Sequence, residues 1–141
     1  TMMIDQIATF VESLGDVLTL RPVEGDGSPE VAWGDFFFYY SPDGVLPPGQ
    51  PFATMVTKDY PGEPPSNLAP GEVRVNIDAG RRGQQSVDDP TVRDTVFPHP
   101  VYGDFGWVCI VQPGPNTTTE LHALIEQAHE AAKRRWNRRH R

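Results

Sequence analysis

The stretch PGEPPSNLAPG (61–71) carries four prolines in eleven residues and cannot be regular secondary structure. It is the extreme case of a wider pattern: fifteen prolines and thirteen glycines cluster between the hydrophobic runs. That pattern predicts many tight connections between short elements. With 141 residues, 38% of them hydrophobic and 22% charged, the chain is sized for one domain with its own core. The expected organisation is a single α+β domain over residues 2–136 and a basic tail over 137–141.

Between the breaks, two periodicities alternate. Ile4, Ile7, Ala8, Val11 and Leu14 make one apolar stripe at helical spacing, and Gly15 is a natural terminator. DVLTLRP (16–22) alternates like a half-buried strand. VAWGDFFFYYS (31–41) puts Phe36, Phe38 and Tyr40 on one face and Asp35, Phe37 and Tyr39 on the other, which predicts a central strand. FATMVTKDY (52–60) pairs back across the intervening loop as a hairpin. EVRVNID (72–78) is the cleanest alternation, with Val73, Val75 and Ile77 against Arg74, Asn76 and Asp78. GWVCIVQP (106–113) reads as a fifth strand. The segment 79–95 is either a surface loop or a short helix after Pro90. From Asn116 to Trp136 a long helix follows, capped by Asn116 or Thr117, with Leu121, Leu124, Ile125, Ala128 and Ala132 as its apolar face. The expected fold is an antiparallel sheet of about five strands, with the two helices covering one of its faces.

Charge narrows the partners. The net charge is −7, yet the last nine residues, KRRWNRRHR, hold six of the twelve basic groups. The remaining 132 residues therefore carry six basic and nineteen acidic groups, a net −13. Such a body is a poor match for nucleic acid, which needs clustered cations. The N-terminus has no basic signal-peptide region, and no apolar run nears the roughly 20 residues that span a bilayer. A cytoplasmic protein with no membrane partner is expected.

The densest chemistry lies in VFPHPVYGDFGWV (96–108). His99 stands between Pro98 and Pro100, so its backbone is stiff, and its ordinary pKa suits acid–base work. Tyr102 and Asp104 follow closely. The same prolines also serve simply to start a strand. On 72–78 the row Arg74, Asn76 and Asp78 is either a solvated face or the floor of a pocket, with Lys58, Asp59 and Tyr60 at its rim. A cationic pair, Arg74 with Lys58, would suit a carboxylate or phosphate.

Other motifs carry less. EQAH (126–129) has the spacing of a carboxylate-bridged metal site, but such sites need two motifs on facing helices. No metal and no cofactor is expected. Cys109 shares strand parity with Trp107 and Val111, which predicts a buried, inert thiol. Phosphate-loop, dinucleotide and nucleophile-elbow signatures are missing from the sequence.

Three segments, WGDFFFYYSPDG, PFATMVTKDYPG and HPVYGDFGWVCIVQPG, followed by AHEAAKRR, resemble the DUF6194 family of small, mostly actinobacterial proteins, over nearly the whole chain. The order of elements is more distantly similar to the YjbR/MmcQ-like fold. The family resemblance implies no established catalytic residues.

The leading functional expectation is a small-molecule protein: a binder, or a cofactor-independent cyclase, isomerase or lyase. His99 and Tyr102 would be its catalytic residues, and Arg74, Asn76, Lys58, Asp104 and Trp107 its ligand contacts. The alternatives are a non-catalytic protein-interaction module and, less favoured by charge, nucleic-acid binding through the basic tail.

Overall fold

The computed structural model describes residues 2–80 and 89–141. Helix α1 spans Met2–Ser13 and packs Ile7, Ala8 and Val11 inward. Gly15, at φ +91°, ends it in a backbone conformation that side chains resist. Six strands follow: β1 (Val17–Leu20), β2 (Phe36–Tyr40), β3 (Ala53–Val56), β4 (Arg74–Asp78), β5 (Val96–Pro98) and β6 (Trp107–Val111). Helix α2, Thr118–Arg139, closes the chain. It therefore runs on through three of the five residues set apart as a tail.

The sheet order is β1-β2-β3-β4-β6-β5, with antiparallel pairing between each neighbouring pair of strands. The α+β expectation holds, with six strands in place of about five. The additional strand, β5, is three residues long, too short for alternation to reveal. It is an edge strand, where Pro98 is tolerated because only one side must be paired.

Strand parity separates two faces. Phe36, Phe38, Met55, Val75, Ile77 and Ile110 join α1 and α2 in the main core. On α2, Leu121, Leu124 and Ile125 are almost wholly buried, each contributing about 2 kcal/mol of hydrophobic stabilisation. Among the described residues, neither α1 nor α2 packs on the second face. There the register sets Asn76 opposite Thr54 on one side and Cys109 on the other. The proline-rich segment 61–71 folds over part of this face, where Phe97, Cys109 and Val111 form a small second core against Leu68 and Val92. Its backbone groups are held by side chains: Asp59 accepts the N–H groups of Ser66 (2.8 Å) and Leu68 (3.2 Å). Arg93 fastens it from below, through Glu72 (2.6 Å) and the Ser66 carbonyl (2.8 Å).

Two local expectations change. Neither Asn116 nor Thr117 caps α2 with its own side chain. Asp94, distant in sequence, instead accepts the N–H groups of Gly114 (2.8 Å) and Asn116 (3.1 Å) and the Thr117 hydroxyl (2.6 Å). A negative charge there also suits the positive end of the helix. Of segment 79–95, residues 81–88 lie outside the described residues, and 89–95 form turns and one bridge to Val111, not a helix.

Candidate site: a cleft on the helix-free face

Where segment 61–71 stops covering the second face, a cleft of about 340 Å³ opens. Its floor comes from alternate residues of four strands: Phe37 and Tyr39, Thr54 and Val56, Arg74 and Asn76, and Trp107. Gln50 and Pro51 form one wall, Tyr60 and Glu63 a second, and His99 and Tyr102 a third. Five aromatic side chains and a few convergent polar groups are the composition of a ligand site.

Arg74 is the most constrained polar group. Its side chain is 3% exposed, and Nη2 meets Glu63 at 3.1 Å. Nη1 lies 3.3 Å from the Ser66 hydroxyl, whereas the buried Nε–H has no partner among the described residues. Leaving such a donor unpaired costs about 1–3 kcal/mol. Asn76 beside it is better satisfied: Nδ2 donates to Thr54 at 3.0 Å, and Oδ1 accepts the Cys109 thiol at 3.1 Å.

His99 turns a corner with one edge of its ring. The backbone N–H groups of Val101 and Tyr102 donate to Nδ1 at 3.0 and 3.1 Å. With the Nδ1 lone pair so engaged, the proton of the neutral ring sits on Nε2. Burial, and then the nearby Arg74 guanidinium, hold its pKa down to about 4. At neutral pH the ring is therefore uncharged, with Nε2–H as its remaining polar group. The turn is tight: a Cβ on Gly103 would stand 3.0 Å from Pro98 Cβ. The His99 N–H extends the β5–β6 ladder by donating to the Trp107 carbonyl at 2.9 Å.

Behind the Tyr60 wall lies a fully buried carboxylate, Asp35. Its Oδ1 accepts the Thr57 N–H and hydroxyl, both at 2.9 Å, and the Lys58 ammonium at 3.1 Å. The Tyr60 hydroxyl donates to Oδ2. Burial first, then this bond to Asp35, push the Tyr60 phenol well above its ordinary pKa, so it stays protonated.

The structure thus brings together five of the seven residues expected from sequence: Arg74, Asn76, His99, Tyr102 and Trp107. Lys58 and Asp104 are not among the described residues that line the cleft. Lys58 is claimed by Asp35 and by the Trp33 carbonyl at 2.6 Å, so it does not pair with Arg74 toward a ligand. Asp104 is exposed on the 3-10 turn Gly103–Phe105. The partner that Arg74 does take, Glu63, was missed because it stands in the proline-rich segment, where no periodicity points to a face. Asp35 was legible only as a charge inside an aromatic run.

Away from the cleft, the histidines of α2 are packing groups. His122 stacks on Phe10, and His129 bonds the Gly15 carbonyl at 2.8 Å while meeting Tyr40 and Phe52 edge-on. No described helix is long and apolar enough to cross a membrane.

Fold and cleft together define a small α+β domain with a ligand-sized cleft on the helix-free face of its sheet. The chain belongs to DUF6194, a family of unknown function whose profile matches residues 2–141. No curated protein and no solved structure matches it.

Proposed function

We propose that this protein binds a small molecule in the cleft, with Arg74 and His99 presenting hydrogen-bond donors and Phe37, Tyr39 and Trp107 supplying aromatic contact. The observation that carries this reading is the convergence of Arg74, Asn76, His99, Tyr102 and Trp107 on one cleft of about 340 Å³. Binding fits His99 better than acid–base turnover. Nδ1 is occupied by two backbone donors, and a pKa of about 4 leaves almost no protonated ring at neutral pH. Tyr102, 44% exposed at the rim, is then a contact and not a catalytic partner. The cytoplasmic location, the actinobacterial origin and the YjbR-like element order belong to this reading but add nothing to the cleft argument.

A second reading, a protein-interaction module, draws on Val101, Tyr102 and Phe105, three large apolar side chains exposed on one turn. One experiment separates the two. The chain has three tryptophans, and only Trp107 lines the cleft among the described residues. A library of small polar aromatic fragments is titrated into the ¹⁵N-labelled protein. Binding in the cleft shifts the Trp107 indole N–H and leaves Trp33 and Trp136 in place. A library that moves none of the three, or all alike, overturns the small-molecule reading.

A further inference from the structure

We propose that the cleft selects neutral planar ligands bearing an amide-type edge, an acceptor beside an N–H donor, over the corresponding carboxylates. This rests on the cleft being a ligand site and goes on to name the class of ligand.

Charge balance is the first argument. The one cation lining the cleft among the described residues is Arg74, and Glu63, also a lining residue, already pairs with it at 3.1 Å. Behind Tyr60, the Lys58 ammonium likewise balances Asp35 at 3.1 Å. His99 is neutral in its Nε2–H form, since Nδ1 is filled by two backbone donors. A carboxylate entering this cleft would give up its hydration and meet no uncompensated positive charge. It would also lie near the Glu63 carboxylate. A neutral acceptor needs only the donors that are present.

Hydrogen-bond polarity is the second. With Nδ1 of His99 filled by two backbone N–H groups, the ring keeps Nε2–H as its donor, so the ligand must bring an acceptor atom. Tyr60 works in the opposite sense. Its hydroxyl proton is given to Asp35, which leaves the phenolic oxygen to accept. The Glu63 carboxylate accepts as well. Donors and acceptors in one cleft match a carboxamide, lactam or imide edge, which carries both kinds of atom in one plane. A carboxylate carries acceptors alone.

Shape is the third. A volume of about 340 Å³ is at the small end of ligand pockets, and Phe37, Tyr39 and Trp107 lend it aromatic surface. One ring, or two fused, fits that space.

Two matched pairs of probes test the inference on the full chain at pH 7: nicotinamide against nicotinate, and benzamide against benzoate. Binding is followed at the Trp107 indole and the Arg74 Nε–H, with Trp33 and Trp136 as internal controls. Each amide is expected to bind at least tenfold more tightly than its acid. The variant Glu63→Gln uncovers the Arg74 charge and should narrow or reverse that preference, its fold being checked by the dispersion of the amide spectrum. Acids that bind as well as amides to the unaltered protein overturn the ligand class and leave the cleft as a binding site. If no member of either pair moves a cleft signal, the cleft reading falls, and the ligand class with it.

Discussion

The backbone N–H of Tyr102 donates to Nδ1 of His99 across 3.1 Å, and that bond decides what the other edge of the ring offers the cleft. A histidine that anchors its own turn through Nδ1 carries its neutral-ring proton on Nε2. The residue is structural on one side and a ligand contact on the other.

This arrangement makes stability depend on pH in a defined direction. His99 is held down to about 4 in the folded state, against 6.5 for an unperturbed ring. Between those values the unfolded chain takes up a proton that the folded chain refuses. Stability is therefore full above about pH 6.5 and falls as pH drops toward 4, by on the order of 3 kcal/mol. In His99→Asn the amide oxygen can stand where Nδ1 stood, keeping the turn while abolishing the titration. Urea midpoints measured from pH 7.5 to 4.5 should fall more steeply for the natural chain than for His99→Asn. Parallel curves would assign the acid sensitivity to other groups.

Arg74 and Glu63 form a largely buried pair, with side chains 3% and 18% exposed. Arg74→Met should cost about 2–3 kcal/mol, because it leaves the Glu63 carboxylate unpaired. Adding Glu63→Gln should restore about 1 kcal/mol, since the stranded charge is then gone. Chemical denaturation of the two single variants and the double variant measures this coupling, and strict additivity would mean the pair is only a surface contact.

Asp35 accepts from four donors on Thr57, Lys58 and Tyr60. Asparagine in its place turns an NH₂ group toward one of those donors, and Asp35→Asn should lose about 3 kcal/mol. The Tyr60 phenol should also ionise at lower pH, because the bond to Asp35 is the second cause of its upward displacement. Absorbance at alkaline pH, compared between the two proteins, reports that change.

The Cys109 thiol is fully buried and bonded to Asn76, and burial pushes its pKa up to about 12. Thiolate, the reactive form, is therefore scarce. An aromatic disulfide reagent at pH 8 should label this thiol only as fast as the protein unfolds. Rapid labelling of the native protein would show the second face to be open.

Much of the fold is written in short-range periodicity. The alternation across Val73–Asp78 is enough to place Arg74 and Asn76 together on one face, and the apolar stripe of α2 is enough to bury Leu121, Leu124 and Ile125. The shared parity of Trp107 and Cys109 follows from the same logic. What periodicity cannot convey is which distant side chain a charged group will choose. Lys58 reaches back 23 residues to Asp35, and Arg74 back 11 to Glu63. Both choices are made by loops. Likewise β5 escapes notice because three residues contain no full alternation, and the helix cap escapes because Asp94 comes from another part of the chain.

The central claim is that His99 serves the cleft as a neutral hydrogen-bond donor. The most direct test is a long-range ¹H–¹⁵N spectrum of its ring, assigned through His99→Asn and recorded from pH 8 to 4.5. The account predicts the Nε2–H tautomer throughout, with Nδ1 unprotonated down to about pH 5. A ring that titrates near 6.5, or that carries its proton on Nδ1, would contradict it and restore His99 as an acid–base group.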